Sequence, residues 1–541
     1  MSDSPQSPLL DYHQRTKHRF EAYAEGPGQL DWDAQPAPFR HYLGAPRTIL
    51  PLSAAAFERP FGELDRPPAR SATLDLDGIG ALFELSLAIS AWKSWGPNRW
   101  ALRCNPSSGN LHPVEAYLLC SGVNGLADGV HHYDPLDHAL EGRALLATAP
   151  PATPWLAIGL STVMWREAWK YGERAFRYCQ LDVGHALAAV AYAARLLGWQ
   201  TRPLALPADT LGRVLGCTRT DDFAPARHAC TEAEEAEALL FLHAPSGAAT
   251  APALAQWLAT AQWHGSPSAI DPAPGYRWPI VGTAAGASRC RGATLATPPQ
   301  WPPLPPVRPA PAAGAVQVIR QRRSAQRFDP ARSLPREAFY RLLDATLPRS
   351  CAPFDAQASA PAIALLLFVL RVEGLPSGLY LLPRGTTAAS LIGATRFPAR
   401  RPLAADSGCP PHLALEVLAE LPLQAVQRLA RSLSCHQDIA ATSAFSLGML
   451  ADLGGVDSDG HLYRERLREA GLIGHTLYLE AEAAGMRGTG IGCFFDDPVH
   501  DSFGIDDPHW QSVYHFTVGA ALDDARITTA PAYPQRQREL P

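Results

Sequence analysis

The chain has 541 residues, more than one hydrophobic core normally supports, and with 47% apolar and 18% charged residues it is expected to fold as two globular domains, not as a disordered chain. A formal charge of -5 without any block of Lys and Arg excludes a nucleic-acid footprint. No run of about 18 apolar residues occurs and the start (MSDSPQSPLLDYHQRTKHRF) has no apolar segment, so neither a membrane span nor secretion is expected and the cytoplasm is the expected compartment.

Residues 1–60 are taken as an N-terminal arm, whose stretch Tyr12–His18 is rich in titratable groups without an assignable role. A first domain is expected over 61–245. There Trp92, Trp95 and Trp100 are expected as core packing ahead of the loop Asn105-Pro106-Ser107-Ser108-Gly109-Asn110-Leu111-His112-Pro113. Small hydroxyls, an amide and a glycine suit a loop laid against a flat polar ring system, although the same composition also makes an ordinary turn. An apolar strand from Val114 to Cys120 follows, then Gly125-Leu126-Ala-Asp-Gly129 and a second strand. His131 and His132 are adjacent on it and point to opposite faces, and the ten cysteines include no CxxC pair, so no metal site is expected.

Gly184-His185 is expected to open a helix ending at Gly198, with Leu187, Val190, Ala191, Ala194 and Leu197 on one face. The stretch 246–312 is taken as a Pro-rich linker, because Pro298 to Pro311 holds 8 prolines in 14 positions. A second domain is expected over 313–541. It opens with the short apolar stretch Val316 to Ile319 and the cluster Arg322-Arg323-Ser324-Ala-Gln-Arg327-Phe328, a phosphate-binding set or a solvated face, before a helix from about Pro335. A strand from Ala364 to Val372 leads into Gly374-Leu375-Pro-Ser-Gly378 and a strand over Leu379 to Leu382. Gly474-His475 is expected to open a helix ending at Gly488, and Gly488-Thr489-Gly490-Ile491-Gly492 forms a glycine-rich turn with no helix expected after it, which disfavours a dinucleotide fold. The same order of strand, GLxxG turn, strand and Gly-His helix on both sides of the prolines is an internal repeat. The second copy carries about 40 more residues between its turn and its helix, enough for a lid or decorating loop.

RRSxxRF before a helix, PSSGNLHP before a strand and a Gly-His helix ending in a glycine-rich turn resemble the FMN-dependent nitroreductase superfamily over most of both halves. Within it, Pro106 to Leu119 and Trp169 to Gly198 (WKYGERAFRYCQLDVGHALAAVAYAARLLG) resemble the thiazole/oxazole (azoline) dehydrogenases of the streptolysin-associated type. The resemblance implies an α+β fold of two tandem nitroreductase-like domains, each a mostly antiparallel sheet flanked by helices, joined as an intrachain pseudo-dimer around FMN. The counterpart of PSSGNLHP in the second copy is Asp355 to Ala362, without that character. The first copy has Ala69-Arg70-Ser71 where the second has Arg-Arg-Ser, and Trp-Gln-Thr-Arg after Gly198 where the second has glycines. One complete site is therefore expected.

By resemblance, Arg322, Arg323, Ser324 and Arg327 are placed at the phosphate end, with Arg526 as a further contact. Pro106, Ser107, Ser108 and Asn110 would line the ring and ribityl chain, and backbone N–H groups of Thr489, Gly490, Ile491 and Gly492 the pyrimidine edge and N5. Lys170 and Tyr171 match the catalytic pair of the azoline dehydrogenases, a base and a proton relay; the alternative is an exposed helix lead-in with a Glu173–Arg174 ion pair. The expected activity is dehydrogenation of an azoline-like or other biosynthetic intermediate, small or peptide-borne, with oxygen as second substrate. The alternatives are an NAD(P)H-dependent nitro- or quinone-type reductase and a non-catalytic flavin-binding scaffold in a peptide-modifying complex.

Overall fold

The computed structural model describes residues 7–536 except 148–152, 223–228, 244–250, 272–277, 293–300, 302, 308–311, 386–390, 392–394, 398–399 and 404–406. Helices α1 (Pro8–Arg15) and α2 (Leu76–Ser86) precede a hairpin of β1 (Ile89–Trp95) and β2 (Asn98–Arg103). Strands β3 (Val114–Ser121), β4 (Gly129–Asp134), β5 (Ala139–Leu145) and β6 (Trp155–Thr162) follow, then α3 (Met164–Tyr171), α4 (Ala175–Leu196) and β7 (Glu235–His243). The strands lie in the order β5-β4-β3-β6-β7, every neighbour antiparallel.

The second half comprises α5 (Ala315–Gln321), α6 (Arg336–Ala345), β8 (Ile363–Val369), β9 (Gly378–Leu382), β10 (Glu416–Glu420) and β11 (Phe445–Asp452), then α7 (His461–Ala483), β12 (Arg487–Ile491), α8 (Asp496–Phe503), β13 (Trp510–Gly519) and β14 (Thr528–Ala530). Its sheet runs β10-β9-β8-β11-β13-β12, again antiparallel throughout. Strands β8, β9, β11 and β13 repeat the order of β3, β4, β6 and β7, with α7 in the place of α4. The internal repeat is therefore a repeat of topology.

Alternation along the strands explains how the halves join. On β8, Ile363, Leu365, Leu367 and Val369 enter a core that also takes Val114, Ala116, Leu118 and Cys120 of β3, whereas Ala364, Leu366 and Phe368 fill a separate core on the outer face. Tyr117 and Leu119 of β3 face an outer core of the first half in the same way. Each sheet thus separates a private core from one shared by both halves, and α4 and α7 lie in the shared one.

Those helices begin earlier than the sequence suggests. Gly184-His185 and Gly474-His475 sit within α4 and α7 instead of opening them, and α7 stops at Ala483 ahead of Gly485, which has φ +70°. Glycine is a poor helix-interior residue, and its presence there is explained by the crossing. A Cβ on Gly184 would collide with the Arg468 carbonyl and lie 2.8 Å from Cα of Gly471, and one on Gly471 would collide with the Leu181 carbonyl. One position after Gly184 and its repeat equivalent Gly474, His185 and His475 meet with ring centroids 6.0 Å apart, as expected where equivalent residues straddle a two-fold axis.

Most of the proline run Pro298–Pro311 lies outside the described residues. Within 246–312, Ala251–Trp257 and Pro279–Ala287 are helical, and Val281, Ala284 and Ala285 are buried in the shared core. The helix α8 also follows the glycine-rich segment directly, with Asp496 and Asp497 in its first turn and Gly504 in the left-handed conformation at its end. This corrects the expectation that no helix follows the glycine-rich segment; Pro498 is accommodated because a first turn tolerates proline.

Replacing Gly471 by alanine should force the two helices apart. A loss of about 1–3 kcal/mol is expected, the usual cost of overpacking, read as a lower midpoint in chemical denaturation, and Ala at the exposed, uncrowded Gly282 is the control.

Candidate functional site

A cavity of about 870 Å³ lies between the halves. Its floor is the α4–α7 pair. Tyr178, Asp182 and His185, spaced i, i+4, i+7 on α4, and Tyr478 and Glu482 on α7 present their faces to it. One wall is the loop Asn105–His112, the other Arg322–Ala325 with β12. The β1–β2 hairpin, joined by β14, adds Lys93, Trp100 and Leu102 at the rim.

The loop is held by its own polar groups. Ser107 Oγ accepts from the His112 N–H (2.8 Å) and Asn110 Nδ2 donates to the Ala101 carbonyl (2.9 Å). Ser108 donates both its N–H (3.0 Å) and its hydroxyl (2.9 Å) to the Asp182 carboxylate. Gly109 has φ +57°, and a Cβ there would strike the Tyr171 hydroxyl and lie 3.1 Å from Lys170 Nζ. The Lys170 and Tyr171 heads therefore converge on the backbone of Gly109.

On the opposite wall, buried Arg322 reaches across the boundary, with Nε donating to the Cys104 carbonyl (3.2 Å) and Nη2 to the Arg103 carbonyl (3.1 Å). Its Nη1 is buried with no partner among the described residues. Arg323 donates to Ser90 Oγ (3.1 Å), and burial together with Arg322 holds its pKa down to about 10, still cationic at neutral pH. Ser324 Oγ and the Tyr478 hydroxyl are 2.9 Å apart, and that hydroxyl accepts from the Gly490 N–H (2.9 Å). Thr489 Oγ1 donates to the Ala325 carbonyl (2.6 Å), which ties β12 to the Arg-Arg-Ser segment.

A buried acid group lies behind Lys170 and Tyr171. Glu167 is fully buried with both carboxylate oxygens unpartnered among the described residues; burial, then Asp182, pushes it well above the usual carboxylate range. Burial lowers the Lys170 pKa, with Glu167 opposing. Burial and then Glu167 raise that of Tyr171, so the phenol stays protonated.

Pro106, Ser107, Ser108, Asn110, Tyr171, Arg322, Arg323, Ser324, Thr489, Gly490, Ile491 and Gly492 all line this one cavity. Lys170 stands just behind it. Arg327 is exposed and Arg526 is exposed with its guanidinium on Asp524 (2.6 Å), and neither lines the cavity. Glu173 and Arg174 do not pair with each other: Arg174 bonds Asp496 (3.2 Å) and Glu173 bonds Arg15 (2.5 Å), both buried. Of the three tryptophans only Trp92 packs against the shared core; Trp95 is 53% exposed and Trp100 faces the cavity. Tyr178, Asp182, His185 and Tyr478 were missed, although the i, i+4, i+7 spacing of the first three marks a single helix face.

At the position related by the pseudo-two-fold axis, Ala72 N–H donates to the Leu197 carbonyl (2.8 Å) and Ser71 Oγ to the Gly198 carbonyl (3.1 Å), mirroring the bond from Ala325 N–H to the Gly488 carbonyl (3.1 Å). There the described residues leave cavities of only about 40 and 60 Å³.

No family model matches the chain. The trifolitoxin-processing protein TfxB of Rhizobium leguminosarum bv. trifolii is 27% identical over 176 residues, 28% of this chain and 46% of that protein. A Methanocaldococcus jannaschii protein named as a nitroreductase is 32% identical over 107 residues, 18% of this chain and 54% of that one. The chain thus spans about half the length of these curated relatives. The crystal structure of an Anabaena variabilis protein named as a nitroreductase superposes with a TM-score of 0.65 at 20% identity, covering 96% of this chain and 100% of that one.

Burial pushes the Asp182 carboxyl up to about 7 against the pull of Ser107 and Ser108. The folded state therefore binds an extra proton between roughly pH 4 and 7, and stability is lost across that window as pH rises. Asp182→Asn keeps an acceptor for Ser108 but has no proton to lose. Its unfolding temperature relative to the parent should climb from pH 4 to pH 7 and then level off; a flat difference would show that Asp182 is ionised throughout.

Proposed function

We propose that the chain, whose fold matches that of a protein named as a nitroreductase over 96% of its length, is a tandem member of the nitroreductase superfamily and an FMN-dependent oxidoreductase that dehydrogenates an azoline-like or related biosynthetic intermediate, small or peptide-borne. The observation that carries this reading is the cavity of about 870 Å³ in which a buried guanidinium nitrogen of Arg322 points at no protein acceptor among the described residues. A buried cation with an unused donor suits an anionic ligand, and the volume is within the range of cofactor sites.

Arg322, Arg323 and Ser324 would hold the phosphate end of FMN. Pro106, Ser107, Ser108 and Asn110 would lie along the ring and ribityl chain, with the Thr489–Gly492 backbone at the pyrimidine edge. When bound, the flavin supplies a two-electron acceptor for hydride. The chain's own contribution is proton handling and positioning. Lys170 Nζ, its proton affinity lowered by burial, takes the proton released from the substrate carbon or nitrogen, and the Tyr171 hydroxyl, kept protonated, relays it. Gly109 leaves the space both heads need, and Asp182 fixes the loop through Ser108. The similarity to a trifolitoxin-processing protein supports a peptide-borne substrate.

Purified protein should be yellow and release about one flavin per chain, as the cavity of about 870 Å³ formed by the described residues implies. Arg322→Ala should weaken flavin binding about tenfold to a hundredfold, the worth of a charge-assisted hydrogen bond. Lys170→Ala should keep the flavin and lower substrate oxidation by about 10²–10⁴, the range of a general base. Full oxidation by the Lys170 variant would retire the base, colourless protein would favour a scaffold, and rapid NAD(P)H consumption with a quinone would favour a reductase.

A further inference from the structure

The insertion that distinguishes the second half returns to the cavity. After the helix Leu423–Leu433 the chain turns through Cys435 and His436, both at positive φ, and Gln437 enters the cavity wall with its Nε2 donating to the Cys493 carbonyl (3.2 Å). Cys493 follows the glycine-rich strand and also lines the cavity. Phe495 N–H donates to the Leu433 carbonyl (2.9 Å), so this backbone contact and the Gln437 bond hold the turn carrying Cys435 against Cys493, and the Cys435 and His18 side chains both interact with the Cys493 sulfur. His18 Nδ1 accepts from the Ala24 N–H (2.9 Å), so its proton is on Nε2, the nitrogen left to donate to sulfur.

The surroundings are rigid. His18 N–H donates to Asp496 (3.0 Å) and the Asp496 N–H to the His18 carbonyl (3.2 Å), while Arg174 and Arg177 clamp the same carboxylate at 3.2 and 2.9 Å. Arg174 also donates to the Gly492 carbonyl (3.0 Å), next to the cysteine. The Cys435 thiol, then His18 and Arg174, hold the Cys493 pKa below that of an ordinary thiol, and Cys435 is raised in return. Both cysteines are half-buried, so reagent can reach them.

We propose that Cys435 and Cys493 are a redox-active dithiol, activated by His18 of the N-terminal arm, that closes to a disulfide by exchange with low-molecular-weight disulfides such as oxidised glutathione. The Cys493 thiolate attacks one sulfur of the reagent, its S–S bond breaks and one thiolate leaves. Cys435 sulfur then attacks Cys493 sulfur of the mixed disulfide, a second thiolate leaves, and the Cys435 proton passes to a departing thiolate. Two cysteines are oxidised to one disulfide and one glutathione disulfide is reduced to two thiols. The bond joins the insertion to the corner between β12 and α8, so the cavity wall responds to thiol redox state. This assignment is independent of the flavin reading.

Purified full-length protein is incubated with oxidised glutathione, alkylated, digested and mapped by mass spectrometry. A cross-linked Cys435–Cys493 peptide pair is expected. In Cys435→Ser the glutathione should remain on Cys493; in Cys493→Ser, Cys435 should stay free over the same time. His18→Phe in the Cys435→Ser background should slow the adduct about tenfold. Both thiols remaining alkylatable, Cys290 reacting ahead of Cys493, or a rate indifferent to His18→Phe would overturn the proposal; mapping the unsubstituted protein decides the first two even where a variant fails to fold.

Discussion

The α4–α7 crossing is the constraint on which the rest of the structure depends. Two helices can bring their backbones within contact only where neither carries a side chain, and Gly184 and Gly471 meet that condition against each other. The close approach sets the separation of the two sheets, and the apolar residues of their inner faces then fill one continuous core. It also decides what the cavity floor can be. With the helices this near, Tyr178, Asp182 and His185 from one and Tyr478 and Glu482 from the other share a single surface.

Buried charge carries the second layer of organisation. Arg322 leaves its own half to bond the carbonyls of Arg103 and Cys104, and Arg174 and Arg177 leave theirs to hold Asp496. Each of these guanidiniums is buried, so losing its partner would strand a charge away from water, a far larger penalty than the pair itself returns. The halves are thereby locked in one register more firmly than apolar contact alone would lock them. The arm is drawn into the same lock, because His18 hydrogen-bonds Asp496 through its backbone. The titratable stretch Tyr12–His18, without a role in the sequence, is largely buried, with His13 on Tyr463 and Lys17 on Asp497 of the second half.

Local chemistry was legible in the sequence, and geometry between distant segments was not. Apolar runs at Val114 and Ala364 became strands, and the matched GLxxG turns announced the repeat because they recur in the same order. Gly184 and Gly474 were taken for helix starts because glycine in a helix interior is unfavourable on its own; only the partner helix explains it. Asp182 was hidden because its helix face is otherwise indistinguishable from a core stripe. Glu167 gave no signal either, since a carboxylate beside Arg166 looks solvated in the sequence and only the folded chain buries it. The contact of His18 with Cys493 joins opposite ends of the chain and no spacing could have indicated it.

Fusion explains why the two halves differ. In a symmetric dimer every residue serves two equivalent sites, so a change that helps one must be tolerated in the other. Joined in one chain, the copies are released from that requirement. The segment Asp355–Ala362 lacks the loop chemistry of Asn105–His112, and the cavities beside it measure only about 40 and 60 Å³. The insertion carrying Cys435 and Gln437 exists in one copy alone and reaches the cavity of about 870 Å³. In a symmetric homodimer the same insertion would have been added twice and would have crowded both cavities. A single-chain pseudo-dimer lets each half keep only the pieces one shared cavity needs, and here the loop comes from the first half and the Arg-Arg-Ser segment and insertion from the second.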